Sequence, residues 1–520
     1  MIKNSVDLLY KLLFTVLAGV ILKWLYDKRR RNRDDAAFAA LHGCQPPQCE
    51  YKHRWPWALD LIKEHVATVL TDHALMLQVE FTESMGITFA AYMFGLTGYF
   101  TSDPRNIKAI TETRFQDMNL GVRRPACYPF FGEGIFTQDG PAWKHSREML
   151  RRQFARVQAR DLETFTDQVE NLVSTFQDSK GVVDLQPAFF RFTLATTTTL
   201  LFGESIETLP ETEQSDFAKH FDSATLVTAI RLPLAHLSFL YNTPSYRKSC
   251  RVVKHYADYF IDKAFKYAQD HGQEDATGRY PFIFDLYTEY QDRSLVRDQL
   301  VNVLLAGRDT TACTMSWTIF HLVRHPAMLR RLREEIYEVT GSETVVTRAH
   351  TKNMPYLNAV LNETLRLYPQ VPMNTRSTVR TTLLPKGGGP DGESPVYVPK
   401  NAGITFSPYH MHRRKELFGE DAHDYKPERW LDGKLTGIGC AYIPFLHGFR
   451  TCLGKDFALS EASYALVRLL QAYPNLRIPP GTGVVPTGKE KQMLSLVVSS
   501  LEGCKVVLDG VEVGSNVRPM

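Results

Sequence analysis

Residues 445–454 read Phe-Leu-His-Gly-Phe-Arg-Thr-Cys-Leu-Gly, and no other stretch constrains the chain as tightly. Cys452 stands between Gly448 and Gly454, two residues after Arg450, and an apolar helical run follows it. Glycines let a backbone turn sharply and approach a flat partner closely. The N-terminus of the helix beginning past Cys452, together with Arg450, favours a thiolate over a thiol. A fold built around this loop presents one sulfur from a tight turn at a helix start. A cysteine taken alone is most often a small buried hydrophobe. Five fixed positions in ten (F-x-x-G-x-R-x-C-x-G) make that a poor account here.

The 520 residues are 44% hydrophobic, enough for a large core, and a net charge of +4 gives no global case for nucleic acid. The eight cysteines form no CxxC pair, which argues against a disulfide scaffold or a zinc site and suits a reducing compartment. Leu8 to Tyr26 is mostly apolar, interrupted by Lys11 and Lys23. As a helix it spans about 28 Å, close to one hydrocarbon core. Lys28-Arg29-Arg30-Arg31-Asn32-Arg33 follows directly. The positive-inside rule then places everything downstream in the cytosol. The charge lies after the apolar run and no small-residue cleavage site is evident, so an uncleaved anchor fits better than a signal peptide. This reading divides the chain into an anchor helix (1–27), a basic stop-transfer and Pro-containing tether (28–60) and a catalytic unit (61–520).

Along that unit, Asp60 to Leu70 reads as a helix and Met76 to Phe100 as a strand pair, with turns near Gly86 and Gly95. Asp103-Pro104 caps a helix through Thr113. Tyr128 to Phe136 reads as an aromatic loop able to cover a cavity. Trp143 and Arg147 are one helical turn apart and share a face. Leu162 to Ala276 reads as amphipathic helices, with an apolar stretch at Ile230–Tyr241. Leu295 to Arg324 is long enough to cross a whole domain as one helix, and Ala306-Gly307-Arg308-Asp309-Thr310-Thr311 lies in its middle. Thr and Gly are poor mid-helix residues. Close helix approach at Gly307 is one account. The preferred one is that small residues make room for a small ligand while a hydroxyl beside a carboxylate relays protons. Glu363 and Arg366 meet on one helix face, and their apolar flanks argue for burial. Lys386–Gly392 is a turn cluster between strands.

The cysteine loop, A-G-x-D-T-T, the E-x-x-R of Glu363–Arg366 and the P-E-R-W of Pro427–Trp430 together resemble the cytochrome P-450 monooxygenases. That resemblance implies a mostly α fold with a smaller β region. Non-covalent haem b lies between the long helix and the Cys452 loop, with Cys452 as the axial ligand of its iron. Phe445 and Gly454 flank the sulfur. Arg450, Trp143, Arg147 and Arg376 serve the haem propionates. Ala306 and Gly307 leave room for O2, Thr310 bonds the reacting oxygen and Asp309 feeds protons from solvent. Glu363, Arg366 and Arg429 form a structural triad, and Val371, Pro372, Met373 and Asn374 line the pocket above the ring.

The strings Gly387–Gly392, Val398-Pro399-Lys400, Met411–Lys415, Phe457–Ala462 and Ile135-Phe136-Thr137 look like one branch, the microsomal alkane and fatty-acid hydroxylases of yeasts and filamentous fungi. Another fatty-acid-hydroxylating branch attaches haem through a Glu just before the Gly of the long helix. Here that residue is Ala306, so covalent haem is not expected. The resemblance implies terminal (ω) hydroxylation of n-alkanes or fatty acids at the endoplasmic reticulum membrane. Its electrons come from NADPH through a flavoprotein reductase, with cytochrome b5 as a further partner, and the Ile230–Tyr241 region acts as a lid touching lipid. Lys144, Arg151, Arg152 and Lys455 are candidates for a basic reductase-facing surface. The rival readings are the same chemistry on a secondary metabolite or xenobiotic, and a haem sensor or carrier without turnover. A carrier has no need of the Asp309–Thr310 pair.

Overall fold

The computed structural model describes residues 2–508 apart from 52, 54, 56–59, 61–70, 94–95, 160–161, 180 and 342–344. One helix, Arg293–Leu322, organises it. Asp292 starts that helix by accepting hydrogen bonds from the backbone N–H groups of Ser294 (2.8 Å) and Leu295 (3.3 Å), two donors that a helix start leaves free. The helix is buried around almost its whole circumference, as a helix enclosed by protein must be. Its first half, through Leu305, joins a core with Phe221, Phe260 and Leu286. From Ala312 on, it joins a second core with Phe189, Leu357 and Leu466. The polar segment Arg308–Thr311 falls between the two.

Leu185–Phe202 packs along this helix, with Thr197 set against Gly307. A Cβ at Gly307 would lie 2.5 Å from the Thr197 hydroxyl oxygen. The glycine therefore faces a neighbouring helix. Close helix approach, one of the two accounts offered by the sequence, therefore has a contact behind it at Gly307.

The architecture is mostly helical with a smaller β region, as expected. The main sheet contains β1 (Cys49–Tyr51), β2 (Thr88–Met93), β3 (Leu96–Thr101), β4 (Met118–Asn119), β5 (Asn374–Thr378) and β6 (Gly403–Phe406), in the order β1-β2-β3-β6-β5-β4. β2 and β3 form an antiparallel hairpin with Thr88 opposite Thr101, and Arg376 of β5 pairs with Ile404 of β6. The Gly387–Gly392 cluster closes a separate hairpin, Thr382–Gly388 with Ser394–Val398.

Two local expectations change. Ala74–Met85 is a helix, and the strand pair begins only at Thr88. Leu75, Val79 and Thr82 are buried at helical spacing, and that period outweighs the alternation read there. Arg123–Phe131 is likewise helical, so the aromatic loop is confined to residues 132–139. Pro129 lies inside this helix and has no N–H to give the Pro125 carbonyl. The buried Arg231 guanidinium bonds that carbonyl instead (3.2 Å), along with those of Ala126, Ser238 and Tyr241.

At the N-terminus the helix runs from Ile2 to Leu41, past Tyr26 and through the basic run. Among the described residues no helix is long and apolar enough to cross a membrane. The Pro-containing stretch read as a tether is bonded into the fold: Gln45 and Pro47 bridge to Val396 and Gly388, and Cys49–Tyr51 is β1 itself. The helix expected at Asp60–Leu70 lies outside the described residues beyond Asp60.

Candidate active site

The cysteine loop is held by its own backbone. Cys452 N–H donates to the Phe445 carbonyl (2.9 Å), and the Thr451 hydroxyl donates to that of Gly448 (2.7 Å). Gly448 has φ +69°, and a Cβ there would fall on the Thr111 carbonyl, so no other residue fits. Gly454 differs: its φ is −90° and it serves as the cap of helix Lys455–Ala472. Its N–H points at the Cys452 sulfur. The thiol is open to solvent on one side yet deeply set. Burial pushes its pKa up, against the pull of the Gly454 N–H, Arg147 and Lys455. Arg450, expected to favour the thiolate, is committed elsewhere. It pairs with Asp139 (2.7 Å), donates to the Gln138 carbonyl (3.0 Å) and lies over the Trp143 ring at 4.4 Å.

The expected propionate residues do converge. Trp143 is buried, Arg147 lies over its ring, and Arg376 is 3% exposed. The structure adds two residues that the sequence reading missed, Arg123 and Asp139. Burial brings Arg450 down to about 10, with Arg123 and Arg147 adding to the shift and Asp139 opposing it. Arg376 is driven well below its usual value by burial and by the charges of Arg123 and Arg450, again opposed by Asp139. Buried Arg376 and Arg450 thus have one carboxylate, Asp139, against their own charges and those of the half-buried Arg123 and Arg147, a surplus of positive charge that is costly unless an anion joins it. A ligand with carboxylates at its edge and a metal for the Cys452 sulfur matches this donor set, and haem is such a ligand.

Residues 371–374 divide. Val371 is 42% exposed. The Pro372 carbonyl accepts from the Ser407 hydroxyl, and the Met373 sulfur accepts from Gln78. Asn374 serves the arginine cluster, its side-chain oxygen accepting from Arg376 (2.6 Å) and Arg123 (3.2 Å).

On the long helix, the Thr310 hydroxyl donates to the Ala306 carbonyl at 2.7 Å. Asp309 is 5% exposed and pairs with Arg308 (3.1 Å), which also reaches the largely exposed Asp222 (2.5 Å). The Arg308 guanidinium is held between the rings of Phe190 and Phe221. No hydrogen bond among the described residues joins Asp309 to Thr310. The carboxylate faces a chain of charges running to the surface, and the hydroxyl faces its own helix. Burial raises Asp309 to about 6 against the pull of Arg308, and Asp222 adds to the rise.

Glu363, Arg366 and Arg429 are buried together. Glu363 accepts two bonds from Arg366 (2.8 Å each) and one from Arg429 (2.9 Å), with further bonds from Trp430 and the Lys426 backbone. Of the four surface cations singled out, Arg151 pairs with Glu148 and Arg152 with Glu289. Lys144 and Lys455 have no ion pair among the described residues.

Glu461, nine residues past Cys452, was not singled out from the sequence. It is fully buried and bonded by the Thr196 hydroxyl, with Thr311 beside it, and burial raises it to about 8. The folded protein therefore holds a proton there between pH ~4.3, the ordinary glutamate value, and about 8, and stability falls as pH rises through that window by up to ~1.4 kcal/mol per unit. Glu461→Gln is expected to match the wild type near pH 4 and to exceed it in denaturation midpoint at pH 8. Equal midpoints at both pH values would show that Glu461 is ionised in the folded state.

The profile of the family described as Cytochrome P450 matches residues 54–502. A cytochrome P450 of Arthroderma benhamiae is 41% identical over 489 residues, covering 92% of this chain and 94% of its own. Cytochrome P450 52A13 of Debaryomyces hansenii is 38% identical, with 85% and 88% covered, and cytochrome P450 52A3-B of Candida maltosa is 40% identical, with 81% and 83% covered. With a deep-set cysteine, a surplus of buried arginine and a polar break in the long helix all where the motifs place them, the chain belongs to the cytochrome P450 family and is a haem-thiolate monooxygenase.

Proposed function

We propose that this enzyme inserts one atom of O2 into a C–H bond of n-alkanes or long-chain fatty acids, at the terminal carbon. The other oxygen atom leaves as water, with two electrons and two protons consumed. The observation that carries the reading is the arginine cluster around Asp139 beside the Cys452 loop, supported by the branch-specific strings and the fungal relatives. Haem, when bound, supplies the oxygen activation. Arg123, Arg147, Arg376 and Arg450 hold its carboxylates, and Trp143 adds an indole N–H. Asp309 takes up and gives back a proton at its carboxyl near neutral pH, and the charges of Arg308 and Asp222 hold a polar path from it to solvent. The Thr310 hydroxyl turns from the Ala306 carbonyl to bond the reacting oxygen.

The electrons come from NADPH through a flavoprotein reductase that docks near Lys144 and Lys455, with cytochrome b5 as a second donor. The N-terminal helix anchors the enzyme in the endoplasmic reticulum membrane with the catalytic unit in the cytosol. Phe239 and Leu240, 66% and 69% exposed, face lipid and admit apolar substrates. Asp35 accepts from the Thr381 hydroxyl (3.0 Å) and Phe38 packs on Tyr397, tying the anchor helix to the catalytic unit.

Product identification tests the proposal. The enzyme is reconstituted with a reductase and NADPH, supplied separately with dodecanoic acid and hexadecane, and the products are read by mass spectrometry. Terminal alcohols or diacids are expected. NADPH consumption with no terminally oxidised product removes the substrate assignment and favours a secondary metabolite.

A further inference from the structure

Asp298, Gln299 and Asn302 lie within about one turn of each other on the long helix, and each is more than nine-tenths buried. Buried polar groups are costly unless bonded, and these bond the main chain of the loop that follows Phe131. Asp298 accepts from the Glu133 N–H (3.0 Å), Gln299 from that of Ile135 (3.3 Å) and Asn302 from that of Phe136 (3.1 Å). The Asn302 amide also donates to the Phe131 carbonyl at 2.9 Å. Two glycines permit this approach. A Cβ at Gly132 (φ +60°) would fall on the Asp298 carboxylate, and one at Gly134 on the Asn302 amide. Thr137 braces the loop from within, its hydroxyl donating to the Gly132 carbonyl at 2.6 Å.

The seam continues toward the site. The Gln299 amide donates to the Ser146 hydroxyl (2.7 Å), on the helix that carries Trp143 and Arg147, and Ser146 donates to Gln138 (2.6 Å). The far end of the same loop aims Arg450 through the carbonyls of Ile135 (3.5 Å) and Gln138 (3.0 Å) and the carboxylate of Asp139 (2.7 Å). The long helix thus reads the loop residue by residue at one end, and the loop fixes the arginine at the other. Apolar contacts are non-directional and tolerate sliding. Three successive hydrogen bonds to one main chain set a single register.

We infer that Gln299, Asn302 and Ser146 are positioning residues for the arginine cluster: they fix the loop Gly132–Asp139 so that Arg450 and Asp139 are preset for the anionic edge of the cofactor. The inference rests on the haem reading of the site. It gives the Ile135-Phe136-Thr137 string a physical role, since its backbone is what the long helix holds.

The test uses the full-length, haem-loaded protein and measures the rate of haem transfer to excess apomyoglobin, with the midpoint potential as a second readout. Asn302→Leu and Ser146→Ala are compared with Phe260→Leu, a core substitution whose ring stacks on Phe202 and takes no part in the hydrogen-bonded seam. The reduced, CO-bound spectrum of the wild type is recorded first, and loss of the thiolate band there removes the haem reading itself. Asn302→Leu is expected to release haem roughly tenfold faster, the size of effect common for residues that orient a metal site's ligands. Ser146→Ala should release it severalfold faster, with a shifted midpoint and the thiolate band retained, while Phe260→Leu stays at the wild-type rate. If Asn302→Leu does not fold, the comparison of Ser146→Ala with Phe260→Leu decides. Wild-type release in both seam variants, or release no faster than in Phe260→Leu, overturns the inference.

Discussion

Glu363→Ala is expected to lower stability by ~3–5 kcal/mol, because it strands the Arg366 guanidinium inside the protein with no carboxylate and leaves Arg429 only that of Asp421. Arg366 is 0% exposed and would keep only the carbonyls of His412, Ala422 and Asp424. Against a typical total of ~5–15 kcal/mol, that loss leaves little folded protein at physiological temperature. Burial alone would raise the Glu363 carboxyl. The charges and hydrogen bonds of Arg366 and Arg429 outweigh it and hold the pKa below the usual range. The contribution is therefore complete above about pH 4.3, the ordinary glutamate value, and is lost as pH falls through the lower folded-state value. Urea denaturation followed by circular dichroism checks this. A loss under ~1 kcal/mol in Glu363→Ala would place the cluster with exposed ion pairs, which contribute little.

Asp309→Asn is expected to cut product formation ~10²-fold or more while NADPH oxidation continues, so that reducing equivalents no longer end in product. The wild-type carboxyl, raised to about 6, changes its proton occupancy near neutral pH. The protonated fraction grows as pH falls through 6, so a rate limited by proton delivery rises from pH 8 through pH 6 and levels only below it. Asp309→Asn loses this inflection. Asp222→Asn, at the exposed end of the same charge chain, removes a negative charge that helps to raise Asp309. It is expected to move the inflection to lower pH without abolishing it. Coupled product formation in Asp309→Asn with an unchanged pH profile would remove Asp309 from the relay.

The parts of this protein legible in its sequence are those where one short segment carries the whole signal. The cysteine loop sets its own turn, because Gly448 tolerates no side chain beside Thr111. Arg293–Leu322 announces itself by sheer apolar length, and the Glu363–Arg366 pair by helical spacing. What stayed hidden depends on contacts between distant segments. Gly307 admits two explanations, and the contact behind one of them comes from Leu185–Phe202, far away in the chain. Arg123 and Asp139 lie 253 and 237 positions from Arg376, and nothing local marks either as part of a charge cluster. Over Ala74–Met85 an alternating polarity competes with a helical period, and only burial decides for the helix. Glu461 carries no signal in the sequence, since its neutrality comes from being walled in by Thr196 and Thr311 of two other helices.

The most direct test of the account is the reduced, CO-bound absorption spectrum of the wild type beside Cys452→Ser. The Cys452 sulfur is the single ligand on which the haem-thiolate site depends. The wild type is expected to show the red-shifted Soret band of thiolate ligation and Cys452→Ser to lack it, whether or not haem is retained. A thiolate band that persists in Cys452→Ser would contradict the account at its centre.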